Sequence, residues 1–227
     1  MPNDFEAYLA DEWRLFAGDA TRQREARRAV AHLTVGRVLD AGCGGGQDLI
    51  PFASQGLTCI GVDIAHANAV WATQQFGAHL PQLAVRFATS AVEHLPFRDT
   101  FFDVVLCRVA IPYTDNRAAL AEIARVLRPG GALLLKTHAA PYYLHKFAEG
   151  IRTRSPLFSV HALRVLVSGL IYHLTRWQPA GGPLLKESFQ SRWLLGKELA
   201  RVGLAIDGEL ADSNRLTPSY RITKALR

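Results

Sequence analysis

Cysteine is scarce in this chain of 227 residues, and the three present cannot all pair with one another. Cys43, Cys59 and Cys107 show no C-x-x-C spacing, so no metal site and no dithiol chemistry is expected. Reduced thiols fit a cytoplasmic protein best. No apolar run is long and uninterrupted enough to span a bilayer. The first residues, Met1-Pro2-Asn3-Asp4-Phe5-Glu6, do not read as a secretory leader. Internal repeats and low-complexity tracts are absent as well. Acidic residues are the minority charge, 20 against 26 Lys and Arg, for a formal net charge of +6. That balance permits contact with nucleic acid or an anionic membrane surface. The cations, however, fall at dispersed helical positions, including Arg22, Arg24, Arg27 and Arg28, and read as a solvated face.

What is present is a chain with 49% hydrophobic residues, enough for a sizeable core in one domain with an elaboration or in two small domains. Its organising stretch is Val38-Leu39-Asp40-Ala41-Gly42-Cys43-Gly44-Gly45-Gly46-Gln47-Asp48. An apolar run from Val35 to Leu39 ends in a carboxylate and a glycine cluster, and a new apolar segment follows. The pattern is strand, tight turn and helix start. Such a turn at the carboxyl end of a first parallel strand is where open α/β sheets bind cofactors. A dinucleotide fingerprint would want its third glycine where Gln47 stands, and Asp40 would repel a pyrophosphate. A cationic ligand is favoured instead.

This stretch resembles the D-x-G-x-G-x-G motif of class I S-adenosylmethionine-dependent methyltransferases. The resemblance extends to Leu95-Pro96-Phe97-Arg98-Asp99-Thr100-Phe101-Phe102-Asp103-Val104-Val105, and to Leu127-Arg128-Pro129-Gly130-Gly131 before a strand. It covers about Val38 to Thr137. It implies a Rossmann-like, doubly wound α/β fold: a seven-stranded, mostly parallel sheet with a C-terminal antiparallel hairpin and a helical cap insertion. Cofactor contacts carried over by position are Asp40, Gly42, Cys43, Gly44 and Gly46 in the turn, then Asp63 and Ile64 after the second strand. Asp63 can accept bonds from both ribose hydroxyls, or cap the next helix. Ala91 stands where the family commonly has an Asp for the adenine amino group. That contact then falls to the backbone around Ala91 and Val92, or to Glu93. Cys107 and Arg108 match the segment passing the methionine moiety. Arg108 either holds a carboxylate or serves a structural ion pair.

The remaining expectations concern the chain's two ends. Residues 1–34 read as amphipathic helices packed on the core, and 35–137 as the cofactor-binding core. Residues 138–187 form a helical cap insertion, and 188–227 a helix and hairpin that complete the sheet. Within the insertion, Leu163, Leu166, Val167, Leu170, Leu174 and Trp177 fall on one helical stripe, with His161, Arg164, Ser168 and Thr175 opposite. This reads as a cap over the acceptor, with a packing or dimer surface and interfacial membrane contact as alternatives. Gln178-Pro179-Ala180-Gly181-Gly182-Pro183 reads as a hinge. A helix is expected from Glu187 to Val202.

The function implied is transfer of a methyl group from S-adenosylmethionine to a small or medium, partly apolar acceptor, leaving S-adenosylhomocysteine. His138 is the candidate general base, and Tyr113 an acceptor-side residue. No nucleic-acid partner is expected, because no N-P-P-Y type motif follows the fourth strand. The chain is read as a monomer or homodimer. The alternatives are a nucleic-acid or protein methyltransferase, a non-catalytic S-adenosylmethionine-binding protein, and a nicotinamide oxidoreductase, which Asp40 and the misplaced third glycine disfavour.

Overall fold

Strong apolar runs fold into seven strands of one sheet: β1 (Arg37–Ala41), β2 (Thr58–Asp63), β3 (Val85–Thr89), β4 (Phe102–Arg108), β5 (Leu127–Lys136), β6 (Leu204–Glu209) and β7 (Ser219–Lys224). The computed structural model describes residues 4–29, 36–179, 181 and 186–226. Expected features at 1–3, 30–35, 180 and 182–185 lie outside the described residues. These include Val35 and half of the expected hinge, at 180, 182 and 183.

The strand order is β3-β2-β1-β4-β5-β7-β6. Pairs among β1 to β5 are parallel, whereas β7 runs antiparallel to both β5 and β6. The strand order reverses between β1 and β4, so the carboxyl ends of these two neighbours open a crevice. Alternate residues supply the two faces of the sheet. Leu39, Ala41, Val105, Cys107, Leu133 and Leu135 join one buried cluster, while Val38, Val104, Leu106 and Leu134 join the other. Burial on both sides explains why the middle of β4, Val104 to Cys107, is wholly apolar.

Helices α1 (Asp4–Gly18), α2 (Ala20–Ala29), α3 (Ile50–Ala53), α4 (His66–His79), α5 (Asn116–Val126), α6 (Ala140–Arg152), α7 (Pro156–Thr175) and α8 (Arg192–Arg201) surround the sheet. The L-P-F-x-D segment is held by Arg125 of α5, which donates to the Leu95 and Phe97 carbonyls and to Asp99. Three sequence expectations need correction. Arg128-Pro129-Gly130-Gly131 does not separate helix from strand. It lies inside β5 as a bulge, because Leu127 already pairs with Phe102 and Ala132 with Val104. The last long helix starts at Arg192, not at Glu187. Residues 187–190 run extended, with Ser188 N donating to the Pro112 carbonyl and Gln190 N to that of His138. The Ser191 hydroxyl then caps α8 by accepting from Leu194 N.

The third correction concerns α7. Its apolar stripe points outward: Leu163, Val167, Leu170, Leu174 and Trp177 are each half exposed or more. The inward face is Ala162, Val165, Gly169 and Tyr172, all buried. Beside it three members of the polar stripe, His161, Arg164 and Ser168, reach the protein, whereas Thr175 is exposed. Ser168 Oγ donates to the Glu187 carbonyl at 2.7 Å, and Arg164 and His161 reach the Glu187 carboxylate at 3.3 and 3.1 Å. His173 meets Ser191 Oγ at 2.8 Å, and Arg176 pairs with Glu198 at 3.3 Å. Gly169 lies where an added Cβ would come within 2.3 Å of Phe189, which fixes how closely this face packs.

Candidate active site

The glycine turn is bent by three left-handed residues, Gly42, Gly44 and Gly46, with φ of 81°, 50° and 76°. Gly42 N and Cys43 N both donate to the Val62 carbonyl, which ties the turn to the end of β2. Asp63 completes the tie. Its Oδ2 accepts from Gly44 N at 2.9 Å, and its Oδ1 accepts from Ala65 N at 2.9 Å and Asn68 Nδ2 at 3.0 Å. The carboxylate therefore braces the start of α4 and lines the crevice.

That crevice is a cleft of about 1040 Å³. Of the residues anticipated from sequence, Asp40, Gly42, Cys43, Gly44, Asp63, Ile64, Ala91, Val92, Glu93, Arg108, Tyr113 and His138 all line it. Two do not. Gly46 sits behind the turn, where an added Cβ would strike Phe87 at 2.4 Å. Cys107 is fully buried in the core beneath β4, because its strand position points it away from the crevice. The helix α1 closes the cleft from above. Trp13 Nε1 donates to the Gly45 carbonyl at 2.9 Å, and its ring meets Trp71 and Phe76 edge-on. Tyr8, Leu9 and Glu12 add to the wall. Val109, a β-branched residue at φ 61°, forms part of the wall just beyond β4. A strained conformation of this kind concentrates at functional sites.

The charges in the cleft are mostly committed. Arg108 pairs with Asp212 at 2.5 Å and with Asp48 at 3.5 Å, and Lys136 also reaches Asp212, at 3.0 Å. Burial alone would push the Asp212 carboxyl up, but Arg108 and Lys136 hold it well below the usual carboxylate range. Arg108 is thus an ion-pair residue of the β4 end. Glu93 Oε1 accepts from Asp115 N and Lys186 Nζ, both at 3.0 Å. Burial raises that carboxyl, yet these partners keep it below its ordinary value. Burial pushes the Cys43 thiol up, and Asp40 and Asp63 add to the rise, so it stays protonated.

Two buried acceptors on the cleft wall, Gln47 Oε1 and Asn68 Oδ1, receive no hydrogen bond from the described residues. Together with Asp63 and the buried Asp40 they make a surface rich in acceptors. It suits a ligand that brings hydroxyl and ammonium donors, as S-adenosylmethionine does. Ile64, 61% exposed at the rim, offers an apolar edge for an adenine.

The opposite end of the cleft is aromatic. His138 stacks on Tyr142 with ring centroids 3.9 Å apart, and its Nδ1 lies 3.2 Å from Tyr143 Oη. Tyr143 in turn donates to Glu187 Oε1 at 2.9 Å. Since its one proton goes to Glu187, Tyr143 accepts from His138 Nδ1–H, which leaves Nε2 with its lone pair. Burial and the nearby Lys136 and Lys146 cations push His138 down to about 4. Burial and Glu187 raise both Tyr113 and Tyr143. The sequence alone singled out neither Glu187 nor Tyr143 for this site. Glu187 lies 44 residues from Tyr143 along the chain, and the bonds of Ser188 N to the Pro112 carbonyl and of Gln190 N to the His138 carbonyl bring residues 187–190 alongside. No residue of α7 lines the cleft; the insertion contributes through its two ends, His138 and Tyr142 at one and Gly181 and Lys186 at the other.

Residues 39–135 match the family described as Methyltransferase domain. An uncharacterized methyltransferase, YcgJ of Bacillus subtilis, is 41% identical over 106 residues, which are 46% of this chain and 42% of that protein. A malonyl-[acyl-carrier protein] O-methyltransferase of Yersinia pestis is 36% identical over 103 residues, 45% of this chain and 36% of that one. The chain thus spans about two fifths of the length of these curated relatives. Among solved structures, a TehB-like SAM-dependent methyltransferase from Corynebacterium glutamicum superposes with a TM-score of 0.62 at 19% identity, covering 99% of this chain and 100% of that one. It shares the fold. The glycine turn, Asp63 and the L-P-F-x-D loop all lie inside the segment that matches the Methyltransferase domain family, and the fold of the chain is that of solved S-adenosylmethionine-dependent methyltransferases.

Proposed function

We propose that the protein transfers a methyl group from S-adenosylmethionine to a small or medium, partly apolar organic acceptor, with His138 as general base. The observation that carries this reading is the shape of the cleft. At about 1040 Å³ it is at the upper end for a pocket serving one small ligand. It also has two chemically distinct ends: an acceptor-rich cradle around Asp63, and an aromatic end of Tyr8, Tyr113, Tyr142 and His138.

When bound, S-adenosylmethionine would supply a methyl group activated on a sulfonium for in-line transfer to the acceptor, the S–CH3 bond breaking as the acceptor–CH3 bond forms and S-adenosylhomocysteine leaving. The protein's work is orientation and exclusion of water. Asp63 and Asn68 would hold the ribose, Ile64 and Val92 the adenine, and Asp40 and Gln47 the cationic part. The tyrosines present flat apolar surface to the acceptor. His138 Nε2 accepts the acceptor's proton as the new bond forms. Glu187, acting through Tyr143, fixes the tautomer that makes this possible.

Calorimetry with S-adenosylhomocysteine should show one site per chain. Labelled S-adenosylmethionine offered with a panel of phenols, carboxylic acids and amines should label at least one acceptor class, and His138→Ala should lose that labelling while keeping cofactor affinity. Tight binding without transfer to any acceptor would favour a non-catalytic binding protein. No binding would overturn the reading altogether.

A further inference from the structure

The outward face of α7 is apolar where a solvated helix would be polar. Val160, Leu163, Val167, Leu170 and Leu174 recur at helical spacing, and each is 50% to 77% exposed. Leu157 and Phe158 extend the ridge at one end, and the exposed Trp177 and Trp193 flank the other. A contiguous apolar strip of this length marks an interaction surface. Over its best window the helix has a mean hydropathy of 1.5, and only 22% of that window is buried. It is not free to cross a bilayer on its own, because its other face is bound through His161, Arg164 and Ser168 to Glu187.

We propose that this ridge seats the protein on an anionic lipid surface, with α7 lying in the plane of the headgroups. The charge distribution selects that occupant. Of the cations between residues 140 and 177, Lys146, Arg164 and Arg176 are paired with Glu149, Glu187 and Glu198, which leaves Arg152 and Arg154 uncompensated. Arg152 and Arg154 in the α6–α7 turn are exposed and make no ion pair among the described residues. A second copy seated on the ridge would bring like charges together, whereas anionic headgroups complement them. Trp177 and Trp193 sit at the end of α7, and Trp193 has Arg176 and Lys197 over its ring at 5.5 and 4.0 Å. That pairing of indole and cation suits the boundary between acyl chain and headgroup.

Flotation of the full chain with vesicles tests this. Vesicles of equimolar phosphatidylglycerol and phosphatidylcholine should carry the protein upward, pure phosphatidylcholine should not, and added salt should weaken the effect. The double variant Leu163→Glu with Leu170→Glu changes two exposed side chains, so it should keep S-adenosylhomocysteine affinity and lose partitioning by at least about tenfold. Arg152→Glu with Arg154→Glu should weaken partitioning to anionic vesicles alone. Absence of flotation with anionic vesicles, or flotation that the two glutamates leave unchanged, would overturn the proposal. So would a concentration-dependent dimer, seen by sedimentation, that the same two glutamates dissolve, for then a second copy covers the ridge.

Discussion

Asp63 commits both carboxylate oxygens to the protein, to Gly44 N, Ala65 N and Asn68, while facing the cleft. Asp63→Ala should therefore act twice. Bonds to a charged acceptor contribute about 1.5–3 kcal/mol each, so S-adenosylhomocysteine affinity should fall at least about tenfold. The same change should lower the melting temperature, because the turn loses its tie to α4. A folded Asp63→Ala protein with unchanged affinity in calorimetry would remove Asp63 from the cofactor site. His138 carries a different prediction. With its imidazole pushed down to about 4, the base form persists through weakly acidic pH. The acid limb of kcat/KM should therefore fall near pH 4, well below the ordinary imidazole value of about 6.5. His138→Ala should cost about 10²–10⁴ in transfer rate. Tyr143→Phe should keep cofactor affinity but lower the rate and shift that limb, since Nδ1 loses its acceptor. An acid limb unmoved by Tyr143→Phe would mean that the Glu187 relay is structural only.

Helix α1 decides how the sheet's crevice is closed, and α7 what one outer face of the protein presents. The first, α1, is joined to the glycine turn through Trp13, by one hydrogen bond to the Gly45 carbonyl and two edge-on ring contacts. Trp13→Ala removes all three contacts. Because Trp13 is only partly buried, a loss of about 2 kcal/mol is expected, below the range for a fully buried Trp. Dissociation of S-adenosylhomocysteine should quicken, measured by stopped flow, while the core's far-ultraviolet dichroism stays unchanged. An unaltered dissociation rate would show that α1 does not close the site. The second, α7, has the opposite orientation to the one its hydrophobic stripe suggests. Three polar anchors, at Glu187, Ser191 and Glu198, hold its charged side inward.

For the molecule as a whole, the buried groups set an acid limit. The His138 imidazole is lowered by burial, so the unfolded chain binds its proton first on acidification. Stability from this group is complete above about pH 6.5 and is lost as pH falls toward 4, by about 3 kcal/mol in all. Asp212, lowered by Arg108 and Lys136, adds a loss that begins only below about pH 4. Urea unfolding at stepped pH should therefore show two successive declines. His138→Phe should flatten the upper one and Asp212→Asn the lower. A single decline below pH 4 in the unaltered protein would place His138 in water.

The succession of strands along the chain, the glycine turn, Asp63 and the L-P-F-x-D loop were legible in sequence because their causes are local. Runs buried on both faces, left-handed glycines and a carboxylate at a strand end leave marks within a few residues. Gly46 and Cys107 were assigned to the cleft by proximity in the chain, but strand alternation and the crowding of Phe87 turn them elsewhere. Helical spacing showed that α7 has two faces and could not show which one meets the protein. Periodicity carries no sign, and the partners that fix it lie 23 residues along for Arg164 with Glu187 and 18 for His173 with Ser191. The relay from His138 through Tyr143 to Glu187, across separations of 5 and 44 residues, likewise exists only once the chain has folded back on itself, since no local rule couples side chains that far apart.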